Sequence, residues 1–284
     1  MKPISKKVKI DNFNLQLSIW ENALNEKQVF CIHGISSNSR VWNTIAEEIE
    51  EVDFIAVDIR GRGHSDAPGG YSLENHAKDI KKVLDKLGIK KIAVMGHSLG
   101  AYIGIIFSVN FAEYVDKLIL VDGGGKLSES QSKKVFDGIK PSLDRLSKVF
   151  DSFEDYISHM KKAPFLQPWY KPMEEYYRYE LIELPDGKVK SRVKPDTIIE
   201  EIENLKKVDI SEYYHEIPCP TYILRATRGM LTDDDLLLPD NVLKEMIEKI
   251  PNVKVINIPD TNHYTIAFYP NSERAKILKE ILLK

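Results

Sequence analysis

The stretch Lys91–Asn110, KIAVMGHSLGAYIGIIFSVN, constrains the fold more strongly than any other part of the chain. Ile92–Met95 is a short apolar run of strand type, and Leu99–Val109 is apolar on nearly every face, as in a buried helix. Between them Gly96-His97-Ser98-Leu99-Gly100 turns the chain. A G-x-S-x-G pentapeptide at a strand-to-helix junction is a nucleophile elbow, which strains the serine backbone and holds the hydroxyl clear of the sheet. Gly96 and Gly100 sit where any Cβ would collide with neighbouring chain. The Leu99 N–H opens the helix, where the macrodipole favours a developing oxyanion.

The flanking sequence repeats this alternation. Val29–Ile32 and Phe54–Val57 are continuous apolar runs, as in strands buried on both faces. The first ends in His33-Gly34-Ile35-Ser36-Ser37-Asn38-Ser39 and leads to a helix expected over about Arg40–Glu50. The second runs into Asp58-Ile59-Arg60-Gly61-Arg62-Gly63-His64-Ser65, a tight charged loop read as a brace between loops. Helical periodicity covers Leu73–Leu87 and stops at Gly88, and a further strand, Leu118–Val121, ends in Asp122-Gly123-Gly124-Gly125. Strand and helix thus alternate, which calls for a mostly parallel central sheet with helices on both faces. Ahead of this unit, Val8–Ile10 and Leu15–Trp20 read as an edge hairpin with one wet face, joined through Asp11–Asn14.

From 126 to 215 the pattern changes. Buried-strand runs give way to amphipathic helical pieces, repeated prolines and crowded aromatics, among them Phe165, Trp169, Tyr176 and Tyr177. This segment is expected to be an inserted helical cap, or lid, on a core formed by residues 1–125 and 216–284. Its aromatics either admit an apolar substrate portion or fill a core of the cap itself. The sheet resumes at Pro220–Leu224, followed by a long loop to Pro239, a helix over about Asp240–Ile250, a last strand Val253–Ile258 and a closing helix Asn271–Leu283.

Composition bounds the partners. A net charge of −3 over 284 residues gives no reason to expect nucleic acid or an anionic membrane as a partner. The basic N-terminus from Met1 to Lys7 lacks the apolar core of a signal peptide. Cys31 and Cys219, both beside or within strands, read as reduced structural thiols, and a cytoplasmic location is expected. The expected partner is a small molecule with an apolar portion, without stable membrane association; a homodimer is allowed.

A serine hydroxyl needs a base within hydrogen-bond reach and a carboxylate to orient that base. Of the seven histidines, His33 and His64 belong to loops after early strands, His76 to a helix, and His159 and His215 to the cap. His97 neighbours Ser98 but points away from it in such a turn. His263 alone follows the last strand, in Pro259-Asp260-Thr261-Asn262-His263-Tyr264. Two places offer the acid: Asp122, directly at a strand end, and Asp233-Asp234-Asp235, several residues beyond theirs. Closeness to the strand end favours Asp122.

Taken in order, His33-Gly34, Asp58-x-Arg60-Gly61-x-Gly63-x-Ser65, the Gly96–Gly100 elbow and Asn262-His263 give the chain a resemblance to the α/β-hydrolase superfamily over nearly its whole length. It is most similar to the cap-bearing esterases, thioesterases and C–C hydrolases. The resemblance implies Ser98 as nucleophile, His263 as base and an oxyanion hole from the Ile35 and Leu99 N–H groups. The superfamily often carries a Gly-x-x-Asp where this chain reads Arg225-Ala226-Thr227-Arg228-Gly229-Met230-Leu231. Members without it place the acid after the preceding strand, which is the position of Asp122. His33, Gly34, Trp42, His97 and Trp169 are the expected substrate-binding residues, Trp42 being equally suited to plugging the core. The implied activity is hydrolysis of an ester or thioester with no cofactor and no metal. A C–C hydrolase or lyase on the same triad, or a non-catalytic ligand-binding protein of the same fold, are the rival readings.

Overall fold

A computed structural model of the chain describes residues 2–21 and 27–284; Met1, at the head of the basic N-terminal run, lies outside them. The chain opens with β1 (Ile4–Ile10) and β2 (Phe13–Trp20), then β3 (Gln28–Ile32), α1 (Asn43–Glu48) and β4 (Asp53–Asp58). There follow α2 (Leu73–Leu87), β5 (Ile92–His97), α3 (Leu99–Asn110) and β6 (Val115–Val121). The segment after β6 holds α4 (Glu129–Asp144), β7 (Val149–Phe150), α5 (Phe153–Met160), α6 (Met173–Glu180), β8 (Leu181–Glu183), β9 (Val189–Ser191) and α7 (Pro195–Leu205). The chain closes with β10 (Thr221–Ala226), α8 (Asp240–Lys249), β11 (Val253–Ile258), α9 (Thr265–Phe268) and α10 (Ser272–Leu283).

The central sheet has eight strands in the order β1-β2-β4-β3-β5-β6-β10-β11. The six strands from β4 to β11 run parallel, while β2 pairs antiparallel with both β4 and β1. The parallel strands inside the sheet are buried on both faces, whereas β11, at the edge, is half-buried or exposed up to Ile258. Phe30, Ile32, Ile55, Val57, Val94, Leu118 and Leu120 join one apolar cluster, with α2 and α3. Their alternating neighbours Val29, Cys31, Phe54, Ala56, Met95, Ile119 and Val121 join the other, with α1 and α10. This period-two division is why the strands read as unbroken apolar runs.

Register then sets the site. Ile32 pairs with Gly96, Gly96 with Leu120, Leu120 with Ile223, and Ile223 with Val255. The loops that follow these residues therefore leave the sheet side by side at its C-terminal edge, the edge at which open α/β sheets hold ligands.

Several local expectations are revised. The edge hairpin turns through Asp11-Asn12, with Asp11 at φ 47, and β2 is buried along almost its whole length rather than wet on one face. The helix expected over Arg40–Glu50 is a 3-10 turn at Ser39–Trp42 followed by the short α1. The 126–215 segment contributes nothing to the central sheet but is not purely helical: β7, β9 and β8 form a small antiparallel sheet. The aromatics of this segment are not an isolated core. Tyr156, Phe165, Tyr176 and Tyr177 belong to the same cluster as Trp42 and Ile119 of the body. Tyr176 meets Phe268 edge-on at 4.8 Å and Phe165 stacks on Tyr264 at 4.3 Å, so these rings dock the 126–215 segment onto the loop and helix around His263. Among the described residues no helix is long and apolar enough to cross a membrane.

Candidate active site

The elbow has the strain that its sequence calls for. Ser98 lies between β5 and α3 at φ 55 and ψ −120, outside the usual regions for a residue with a side chain. Its N–H donates to Val121 O at 3.1 Å and its C=O accepts from Ala101 N at 2.9 Å, which fixes the turn from both sides. A Cβ on Gly96 would fall 2.1 Å from Gly100 O, and one on Gly100 would fall 2.1 Å from Ile32 O. Neither position tolerates a side chain. Ser98 remains partly solvent-accessible while its neighbours are buried.

The β6 end wraps against this turn. A Cβ on Gly123 would lie 2.5 Å from Ser98 O. Asp122 is itself strained at φ 44, held by its N–H to Leu224 O at 2.8 Å. Its carboxylate is buried and shared: Oδ1 accepts the Ala226 N–H at 3.0 Å and Oδ2 accepts His263 Nδ1–H at 2.8 Å. With Nδ1 donating, the tautomer leaves His263 Nε2 as a free base. His97 supports the same histidine from the other side. The two rings stack at 4.6 Å and His97 Nε2 donates to His263 O at 2.8 Å. Ser98 and Asp122 thus follow the neighbouring strands β5 and β6, and His263, in the loop after β11, reaches Asp122 across the end of β10.

The other acid candidates lie in different surroundings. Asp235 turns its buried carboxylate into its own loop and accepts the N–H groups of Met230, Leu231 and Thr232 at 2.5, 2.8 and 3.2 Å. Asp234 is exposed and pairs with Lys134 of α4. Asp233 borders a cleft of about 370 Å³ that also includes Pro164, Gln167, Arg228, Asn262 and Thr265. That cleft flanks the histidine loop and does not include Ser98 among its walls.

The Gly34–Ser37 turn lies over Ser98. A Cβ on Gly34 would sit 3.2 Å from Ser98 Cβ and 3.6 Å from Ser98 Oγ. Ser37 N donates to Gly34 O at 3.1 Å, which closes a tight turn with Ile35 and Ser36 at its centre. Leu99 is the first residue of α3, so its N–H is among those a helix leaves unpaired.

Of the expected pocket residues, three are corrected. His33 has no exposed surface, because both ring nitrogens are engaged: Nε2 accepts Ile59 N–H at 3.1 Å and Nδ1 donates to Gly34 O at 2.7 Å. Trp42 is likewise wholly buried, in the cluster beneath the sheet, and plugs the core. His97 is buried as well and braces His263 rather than facing a ligand. Trp169 is half-exposed on the cap, where it stacks on Tyr177 and lies under Lys161. The sequence reading missed Ala226 N–H as a partner of Asp122. It also missed the buried cap ion pair of Arg145 and Glu180, at 2.8 Å, because no local periodicity marks either.

Burial pushes His33 down to about 4 from an ordinary 6.5, and pushes His97 well below its ordinary value. The unfolded chain then binds protons near pH 5 that the native state refuses. Stability is fully present above pH 6.5 and is lost as pH falls toward 4. The expected loss from His33 over that window is on the order of 3 kcal/mol. Urea midpoints at pH 7.5 and 4.5 should show this fall in the wild type and a shallower one in His33→Gln; equal slopes would remove His33 from the account.

Comparison with known proteins agrees with this architecture. A family model described as the α/β-hydrolase fold matches residues 27–269, and the chain belongs to that family. The putative carbamate hydrolase RutD of Klebsiella pneumoniae is 26% identical over 81% of this chain and 82% of its own. A 2-hydroxy-6-oxononadienedioate/2-hydroxy-6-oxononatrienedioate hydrolase of Pseudomonas putida is 30% identical over 54% of this chain and 59% of its own. An uncharacterized Mycobacterium tuberculosis protein is 38% identical over 34% of this chain, a match that spans only 29% of that protein. Among solved structures, E-2-(acetamidomethylene)succinate hydrolase superposes with a TM-score of 0.85, at 20% identity, over 99% of this chain and all of its own.

Proposed function

We propose that the protein is a serine hydrolase cleaving a carboxylic ester or thioester through an acyl-enzyme on Ser98. The observation that carries this reading is the His263 Nδ1–Asp122 Oδ2 hydrogen bond of 2.8 Å, with Asp122 at the end of the strand next to that of a strained Ser98. His263 Nε2 takes the Ser98 proton as Oγ attacks the substrate carbonyl, and Asp122 steadies the imidazolium that forms. The N–H groups of Ile35 and Leu99 receive the tetrahedral oxyanion. Collapse expels the alcohol or thiol, which takes its proton from His263, and leaves Ser98 acylated. Water activated by His263 then releases the acid. Residues 126–215 act as a lid that admits a substrate with an apolar portion.

A second reading, C–C bond hydrolysis on the same residues, draws on the name of the Pseudomonas putida relative. A fluorophosphonate probe tests the shared core of both. Intact-mass and peptide analysis should find one adduct per chain, on Ser98, with loss of p-nitrophenyl butyrate hydrolysis in step. A protein that neither reacts nor hydrolyses would be a ligand-binding member of the family. Turnover of a vinylogous 1,5-diketone acid without ester turnover would favour the C–C reading.

A further inference from the structure

The charged loop after β4 reaches the turn that lies over Ser98. Arg62 is 1% exposed, and its Nε donates to Ile35 O at 2.9 Å. Its Nη2 donates to Glu201 Oε2 at 3.0 Å, and Glu201 belongs to cap helix α7. The same oxygen accepts from His76 Nε2, on α2, at 2.8 Å. A continuous chain of hydrogen bonds thus runs from the cap, through a buried guanidinium, to Ile35.

Stability alone does not account for this arrangement. A buried ion-pair network is often no more stabilising than apolar side chains of the same shape. Here Glu201 Oε1 and His76 Nδ1 are buried without a hydrogen-bond partner, which makes the contact costlier still. Simpler bonds already attach α7 to the body: Glu200 Oε1 accepts Tyr71 N–H at 3.0 Å and Asn204 Nδ2 donates to Tyr71 O at 2.7 Å. The next two residues of the turn are also held by the cap. Arg145 Nη2 donates to Ser36 O at 3.4 Å and Tyr176 OH donates to Ser37 Oγ at 3.2 Å. Both central carbonyls of the Gly34–Ser37 turn are therefore held by arginines, each paired with a cap glutamate.

We propose that Glu201, acting through Arg62, is a positioning residue that aims the Ile35 N–H at the oxyanion, so that the hole is complete only while α7 is docked on the body. This rests on the acyl-enzyme reading of Ser98. Arg62, on Ile35 O, fixes the Ile35–Ser36 peptide at the centre of the turn. That peptide sets where Ser37 N–H lies, and Ser37 N–H in turn holds Gly34 O, on the peptide that carries the Ile35 N–H. An undocked cap releases Arg62 and loosens the turn, so ester chemistry is confined to the closed enzyme.

Steady-state kinetics with p-nitrophenyl butyrate on full-length wild type, Glu201→Gln and Glu200→Gln test this. Glu201→Gln should lower kcat by about ten- to a hundredfold, part of what loss of an oxyanion donor costs, with KM changed less than about threefold. Glu200→Gln, which removes the charge from a cap bond but does not touch Arg62, should stay within about twofold. Glu201→Asp keeps the charge and should recover part of the loss; it also serves if the glutamine variant does not fold. The second readout is the affinity for butylboronic acid, whose serine adduct occupies the oxyanion hole, relative to the planar butyrate ion. That ratio should fall in both Glu201 variants and hold in Glu200→Gln. Equal losses in the Glu200 and Glu201 variants with an unchanged ratio would make Glu201 a structural tether and overturn the inference, as would an unaffected Glu201→Gln beside an active wild type. A wild type that neither hydrolyses the ester nor takes up the boronate would remove the acyl-enzyme reading, and the inference with it.

Discussion

Ser98→Ala is expected to lower p-nitrophenyl ester hydrolysis by about a million-fold and to leave the fold intact. The hydroxyl is the only group lost. The turn that holds it is fixed by backbone bonds, Ser98 N to Val121 O and Ala101 N to Ser98 O, and by glycines at 96 and 100 that cannot carry a Cβ. Alanine inherits the same φ of 55, so the strain is unchanged and thermal unfolding should shift by no more than a few degrees. The remaining site, with its N–H groups and its histidine, still binds the product acid. Affinity for butyrate should therefore persist while turnover vanishes, and that separation identifies a nucleophile rather than a damaged pocket. Undiminished turnover in the alanine variant would eliminate Ser98 from the mechanism.

The fold was legible wherever one local rule sufficed. Helix α2 is delimited as its periodicity predicts, because Ser72 caps its start and Gly88, at φ 72, ends it. Strand β11 has the expected bounds, Val253–Ile258. The cap strands were not legible: β7 is two residues long and β8 and β9 three, too short for alternation to register. Neither was exposure. His33 and Trp42 flank the right motif, but adjacency in sequence does not say that both nitrogens of one ring are engaged or that an indole is swallowed by the core. The long-range bonds were least accessible. Arg62 and Glu201 lie 139 residues apart, and Ala226 reaches Asp122 across 104. No spacing rule joins such pairs; only the parallel register and the docking of the cap do.

That register also decides what a carboxylate can do. Asp122 and Asp235 are both buried and both accept backbone N–H bonds, yet Asp235 spends both oxygens on its own loop whereas Asp122 spends one on Ala226 and keeps one for His263. The difference follows from strand position. Asp122 is the first residue past β6, beside β10, while Asp235 stands nine residues beyond the end of its strand at Ala226.

Asp122→Asn should accordingly lower kcat by about ten-thousandfold with little change in stability. The asparagine amide offers one acceptor and one donor group. Ala226 N–H at 3.0 Å requires the acceptor at the Oδ1 position, which turns the NH₂ toward His263 Nδ1. Nδ1 must then accept, the ring proton moves to Nε2, and the nitrogen that should receive the Ser98 proton already carries one. The backbone does not oppose the change, since asparagine tolerates φ near 44 as well as aspartate does. The matched control is Asp235→Asn. It weakens the acceptor for three loop N–H groups, so it should cost about 1–2 kcal/mol of stability and leave kcat within a few-fold. The two variants therefore exchange phenotypes between a kinetic assay and a denaturation curve. An active Asp122→Asn beside an inactive Asp235→Asn would transfer the role of the acid to the other loop, in spite of the 2.8 Å bond to His263.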